Sequence, residues 1–489
     1  MMKKMVAVLA VFAIVTTAAW AQISFEGMVM GRADLANNFI TNHGADGGPG
    51  DWSEIPENAG EARRAFAQEA RLFLNMVNAD GTAGATARFW NMGWQGHMGW
   101  NNASNLFHAW AWWRPMENLL VQIGENPWGF FTTHQIVGPG FTANEAENSL
   151  LGIGSAGAFH YGATAYGFYN LHRNTGFYGG FIHPGISAAF EPIEGLTVLL
   201  GIPFAMGNAH GAGPVADGAP NFFVTSEGWA AGMLRSHIGV RYEIDGIGTA
   251  AFTVAGGAGY WGGMSSPGPQ VPLFGGPHNA GIFDEFGLAT GAGTGRFANS
   301  PKFYLSFLLT AIENMQVNFG LAYTAPFSIA NGSDLPEALR GVTFNFPIEM
   351  GLGFQFGASD FAIRARVAAL FAGSIERPAT AAAAASTENM PLAVGLNIHP
   401  TFNLGMFVAN LNAGFQIFVD TNDPLPGQPD PEPIFGWHVT PYITVPVSNA
   451  TVFAGFHVES CGAERYGRNT PPDSTAIRWR IPVGLRFQW

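Results

Sequence analysis

The chain has 489 residues, a formal net charge of −13, only 12% charged residues, 65 glycines, 41 phenylalanines and 14 tryptophans. That acidic balance gives nucleic-acid binding little support, and the single Cys461 excludes an intramolecular disulfide and a cysteine-rich zinc site. Beyond residue 21 no run of about 18 uninterrupted apolar residues offers a membrane-spanning helix, so the hydrophobicity must be spread by alternation.

At the N-terminus Lys3 and Lys4 precede an apolar stretch, Met5 to Val15, and Ala19-Trp20-Ala21 forms an A-x-A site. The pattern predicts a secretory signal over residues 1–21 with cleavage before Gln22. No cysteine stands at that site, which argues against a lipid-anchored lipoprotein. The rest, 22–489, reads as one domain without a dividing linker.

A first strand is expected at Ile23 to Arg32, followed by a long polar connection, Asp34 to Ala62. Tight turns are expected at Asn78 to Gly81, Ile244 to Gly246, Pro400 to Asn403 and Val447 to Ala450. A weak repeat marks others: Pro115 to Val121, Pro192 to Val198 and Ala311 to Val317 each place Asn or Gly after Glu, where a positive φ lets antiparallel strands reverse. Further alternating strands run through Leu196 to Phe204, Phe303 to Leu309, Met315 to Tyr323, Leu411 to Val419, Trp437 to Val445 and Val452 to Val458. The connections on the other side are long and rich in Gly, Pro, Asn and Asp, including Asn126 to Gly180, Phe327 to Gly341 and Gly373 to Met390.

The alternation is clearest late in the chain. In Val342 to Gly357 every even position from Val342 to Phe356 is apolar, while Thr343, Asn345, Glu349 and Gln355 fall on the odd ones. Across an Ala358-Ser359-Asp360 turn, Phe361, Ile363, Ala365 and Val367 take one face and Arg364 and Arg366 the other. The last strand, Thr475 to Trp489, sets Ile477, Trp479, Ile481, Val483, Leu485, Phe487 and Trp489 against Arg478, Arg480 and Arg486. A period of two puts such sets on opposite faces, which suits a wall with hydrocarbon outside and water inside. Eight hairpins with a first and a last strand give eighteen strands, or sixteen if one hairpin is merged. The class is therefore all-β, a transmembrane antiparallel up-and-down barrel with short turns on one side and long loops on the other.

This pattern resembles bacterial outer-membrane β-barrel porins over essentially the whole mature chain. An apolar alternation ending in an aromatic residue is similar to the closing strand of those barrels, in which Phe487 and Trp489 would be read by the barrel-assembly machinery. The segment His108 to Gly124 is similar to a hairpin common in porins and in sugar or alginate channels, although Glu125 stands where those often have a basic residue. The resemblance implies an outer-membrane location in contact with lipid, no cofactor or metal, no enzymatic activity, and passive diffusion of small hydrophilic solutes. It leaves homo-oligomerisation open.

Parity assigns Arg88, Arg114, Arg235, Arg241, Arg364, Arg366, Arg478, Arg480 and Glu349 to the lumen. Such arginines either favour anions or pair with glutamates across strands. Asn126 to Gly180 either narrows the pore, bringing in Glu145 and Glu147, or is an outward loop or an extra hairpin. Trp110 and Trp112 share a face with His108 and Arg114; they either belong to an interfacial girdle or offer flat surfaces for stacking sugars. Glycine triplets at Gly152 to Gly157 and Gly257 to Gly262 match a dinucleotide fingerprint by letter alone, since neither opens a helix in a βαβ unit. The alternatives to a diffusion porin are a saccharide- or anion-specific channel and a non-conducting surface protein or adhesin.

Overall fold

The computed structural model describes residues 20–37, 66–95, 104–124, 185–203, 236–255, 302–328, 340–345, 348–380, 384–389, 392–419, 433–460 and 477–489. In chain order the strands are β1 (Trp20–Asn37), β2 (Phe66–Asn78), β3 (Ala83–Gln95), β4 (Ser104–Met116), β5 (Leu119–Gly124), β6 (Gly185–Ile193), β7 (Leu196–Pro203), β8 (His237–Ile244), β9 (Gly248–Ala255), β10 (Lys302–Leu309) and β11 (Met315–Thr324). They continue as β12 (Phe327–Ser328), β13 (Thr343–Asn345), β14 (Ile348–Gly357), β15 (Phe361–Phe371), β16 (Ser374–Arg377), β17 (Ser386–Asn389), β18 (Leu392–Asn403), β19 (Val408–Val419), β20 (Ile434–Val447), β21 (Ala450–Gly455), β22 (His457–Ser460) and β23 (Ile477–Gln488).

Nineteen of these form one antiparallel sheet, and β1 pairs with both β2 and β23, so the sheet closes on itself. β21 and β22 are two halves of one strand, because both lie between β20 and β23 in an unbroken register. The barrel thus has eighteen strands, the number expected from the hairpin count. The gap between the halves has a cause: proline has no N–H to give a ladder, and Phe456 falls between Pro441 of β20 and the Ile481-Pro482 step of β23. Phe456 itself donates its N–H to the Pro441 carbonyl at 3.0 Å. Spacing near 4.8 Å and a tilt near 40° give eighteen strands a backbone radius of roughly 18 Å.

The two faces are sorted almost without exception. All thirteen buried polar or charged residues among the described ones, from Arg88 and Ser187 to Thr444 and His457, take inward positions of the ladder. Ile23, Phe25, Leu72, Trp113, Ile123, Leu200, Ile238, Phe252, Leu305, Leu352, Ile443 and Phe487 are exposed on the outward ones. This inverts a water-soluble domain and is what a wall bathed in hydrocarbon requires. Outward aromatics gather near both ends. Trp113, Tyr242, Trp489 and the Phe361–Phe402 pair, 5.0 Å between ring centroids, lie near the turns; the Phe303–Tyr323 and Phe456–Trp479 pairs lie toward the loops.

The turns follow their chemistry. Gly195 and Asn314, which follow Glu in the repeat, have φ of 78° and 60°, whereas Asn118, at the same place in the first repeat, does not take a positive φ. At the β2–β3 turn Gly81 has φ of 72°, and Asp80 accepts hydrogen bonds from the Thr82 hydroxyl at 2.7 Å and the Thr82 N–H at 3.0 Å. Those bonds hold the exposed Asp80 carboxyl below the usual carboxylate range. Neighbouring turns are also bonded to one another: Arg114 N–H to Thr82 O, Glu191 N–H to Asn118 O, Glu243 N–H to Gly195 O, Thr310 N–H to Ile247 O, Gly357 N–H to Asn314 O and Asn403 N–H to Asp360 O.

Three expectations need correction. The turn expected at Pro400 to Asn403 is strand, and the chain reverses after it, where Gly405 takes φ of 84° and the Asn403 side chain accepts the Gly405 N–H. The segment Val342 to Gly357 is two strands, and Val342, expected on the lipid face, is 1% exposed. Phe327 to Gly341 and Gly373 to Met390 are not simple loops, because β12, β13, β16 and β17 pair into a second, four-stranded sheet. β1 also starts at Trp20, within the expected cleavage motif, and runs to Asn37.

Candidate pore lining

Register, rather than sequence distance, assembles the inner wall. Gln316, Gln355, Arg364 and His399 stand opposite one another in turn across β11, β14, β15 and β18. The same oblique row continues through Asn412, Thr440 and His457 to the backbone position of Arg480. Within it His399 Nε2 lies 2.9 Å from the Tyr442 hydroxyl, and His457 Nδ1 lies 2.7 Å from Thr440 Oγ1. His399, Asn412, Thr440 and His457 are all at or below 2% exposure, so this part of the row is enclosed within the wall. Of this row Arg364 and Arg480 had been assigned to the lumen from sequence. What alternation could not give was which residue of the next strand each one meets.

The arginines divide by environment. Arg88 is inward but enclosed at 1% exposure, with its guanidinium 5.0 Å from the centre of the cross-strand Phe73 ring. That contact holds the guanidinium against an aromatic face of the wall. Arg241 reaches Thr197 Oγ1 at 3.2 Å and Glu243 at 3.4 Å, and keeps 25% of its side chain exposed near the turn-side mouth. Arg114 lies in the irregular step between the Trp113 and Met116 pairs of its strand, exposed, 5.7 Å from the centre of the Trp112 ring. Arg366, Arg478 and Glu349 occupy inward positions of the ladder opposite Gly353, Glu459 and Ala322. Arg235, Glu145 and Glu147 lie outside the described residues.

Trp110 and Trp112 share the inward face of β4, opposite Thr86 and Gly84. A Cβ at Gly84 would fall inside the Trp112 indole, so the glycine is what lets that ring lie against the wall. The same device recurs twice. Phe453, 2% exposed, covers Gly484 on the inside, and Trp489 covers Gly27 on the outside. Trp489 and Gly27 exchange both backbone hydrogen bonds, at 3.0 and 3.1 Å, and the Phe487 and Trp489 ring centroids are 5.8 Å apart. The terminal aromatics therefore sit on the seam that closes the barrel.

No family model and no curated protein matches the chain. Solved structures do. The outer membrane protein OpdK from Pseudomonas aeruginosa aligns with a TM-score of 0.46 at 9% identity, covering 96% of this chain and 100% of its own. OpdL from the same organism gives 0.46 at 10%, covering 96% and 99%, and an anion-selective porin from Comamonas acidovorans gives 0.41 at 10%, also covering 96% and 99%. At these scores the likeness adds nothing to what the closed ladder of eighteen strands already establishes.

Proposed function

We propose that the chain is a channel of the bacterial outer membrane through which small hydrophilic solutes diffuse passively, and that it is not an enzyme. The observation that carries this reading is the inversion of polarity around a closed wall, with buried polar groups inside and exposed large apolar groups outside. A ring of about eighteen strands is too wide for its own side chains to fill. Water access at the turn-side mouth is supported by the exposure of Arg114, Arg241 and Glu243. In this reading residues 1–21 are a cleaved signal, Phe487 and Trp489 address the assembly machinery, and the arginines bias the channel toward anions. The segment with Glu145 and Glu147 would narrow the pore.

The test is stepwise conductance of the purified protein in a planar bilayer. Discrete, ohmic steps are expected; a folded protein that inserts without conducting would defeat the reading and leave the surface-protein alternative. A saccharide channel is the second reading, favoured by Trp112 lying flat over Gly84 on the inner face. A neutral oligosaccharide added on the turn side should then block current, and Trp112→Ala should abolish the block.

A further inference from the structure

Arg241 and Arg114 both stand at the turn-side mouth but are held differently. Arg241 gives its guanidinium to Thr197 Oγ1 at 3.2 Å and to the Glu243 carboxylate at 3.4 Å. Arg114 is fixed through its backbone, whose N–H is bound to the Thr82 carbonyl at 2.7 Å, and through the Trp112 ring, whose centre lies 5.7 Å from the guanidinium. No hydrogen bond or ion pair joins that guanidinium to another described residue, and Arg114 is exposed. The carboxylates next to it in the turns do not take it up: Glu191 accepts the Gly195 N–H at 3.0 Å, and Glu117 forms no pair with Arg114. Its N–H donors are therefore open to a solute.

Trp112 is set in place before any solute arrives. Its indole lies on buried Gly84 of β3, where a Cβ would overlap the ring, so the wall takes up one face. A guanidinium centred on the other face would stand at about 4 Å. At 5.7 Å, near the about 6 Å limit of such contacts, Arg114 is displaced from the ring centre, and half-buried Trp112 keeps open surface beside it. Gln122 of β5 stands opposite Trp112, and Ser187 of β6 opposite Gln122, so the same inward row is polar on its far side.

The two groups suit different parts of one ligand. An indole face in water accepts the flat, C–H-lined side of a ring. A guanidinium presents a planar fork of N–H donors that matches a carboxylate in two parallel bonds. A neutral sugar would use the indole alone, and a small carboxylate the arginine alone. A sugar ring that carries a carboxylate uses both.

We propose that Arg114 and Trp112 form a subsite for acidic saccharides, whose rings carry a carboxylate, at the turn-side mouth of the channel. The subsite rests on the saccharide reading above and adds to it the charge of the sugar. The test uses the purified full chain in a planar bilayer, with three probes added in turn on the turn side: a neutral gluco-oligosaccharide, an oligo-uronide of the same length, and malonate. At 0.1 M salt, where the Debye length is about 10 Å, the oligo-uronide should block current at roughly fivefold lower concentration than the neutral sugar, as one exposed pair of good geometry gives. Malonate should not block in that range. The advantage should fall below about twofold at 1 M salt, where the Debye length is about 3 Å. Arg114→Gln should erase the difference between the sugars and leave block by the neutral one unchanged. Trp112→Ala should abolish block by the neutral sugar and weaken block by the uronide.

Equal block by the two sugars, block by malonate as strong as by the uronide, an advantage that survives Arg114→Gln, or one undiminished at 1 M salt would each overturn the proposal. The salt series requires no variant, so it decides the matter even if Arg114→Gln loses heat-modifiable migration. Ohmic steps with no block by either sugar would refute the saccharide reading and the subsite with it, while sparing the diffusion channel. Block by the neutral sugar alone would spare the saccharide reading and refute the subsite.

Discussion

Replacing Arg364, Arg366, Arg478 and Arg480 together by glutamine should remove most of the anion preference of the channel, and the size of the loss follows from where they stand. For an ion about 10 Å from a guanidinium in water, the unscreened interaction is about 0.4 kcal/mol. At 0.01 M salt the Debye length of about 30 Å leaves about 0.3 kcal/mol per charge, and at 0.1 M, with a Debye length of about 10 Å, about 0.15 kcal/mol. Arg478 stands opposite Glu459 in register, so its field is largely offset, whereas Arg364 and Arg480 stand opposite His399 and His457. Three effective charges then give about 0.9 kcal/mol at 0.01 M, an anion enrichment of roughly fivefold, falling to roughly twofold at 0.1 M. Reversal potentials under a KCl gradient should show this loss, and Arg478→Gln alone should contribute least. Unchanged selectivity at 0.01 M in the quadruple variant would refute the assignment of these positions to the conducting path.

Serine at Phe487 and Trp489 together should impair assembly, read as lost heat-modifiable migration, far more than Gln488→Ala; Gly27→Leu, which denies the indole its seat, should weaken the same seam. Normal migration of the serine double variant would show the terminal pattern to be incidental. The lowered Asp80 carboxyl makes the β2–β3 turn acid-sensitive: its contribution is present above the unfolded-state value and is lost as pH falls through the lower folded-state value. Asp80→Asn should flatten that part of a stability profile, below about pH 4, and an unchanged profile would contradict it.

The faces and the strand count were legible in the sequence because lipid and water impose a two-residue alternation on every spanning segment, and nothing else in the chain requires one. The cross-strand partners were not. That Arg88 would meet Phe73, or that Trp112 would lie over Gly84, depends on register, which parity leaves free in steps of two. The second sheet escaped notice because β16 and β17, Ser-Ile-Glu-Arg and Ser-Thr-Glu-Asn, are short and mostly polar. Pro400 and Asn403 misled through genuine turn chemistry, for Asn403 does cap a turn, the one that follows it.

The bonds that run from turn to turn have a mechanical consequence. From Thr82 to Asp360 each described turn is tied to the next by at least one backbone hydrogen bond, and the Trp489–Gly27 exchange ties the two chain ends. These ties resist widening of the rim, because a larger opening would have to stretch them. The turn-side aperture should therefore keep a nearly constant circumference under lateral pressure from the bilayer, so that any widening of the barrel falls to its opposite end.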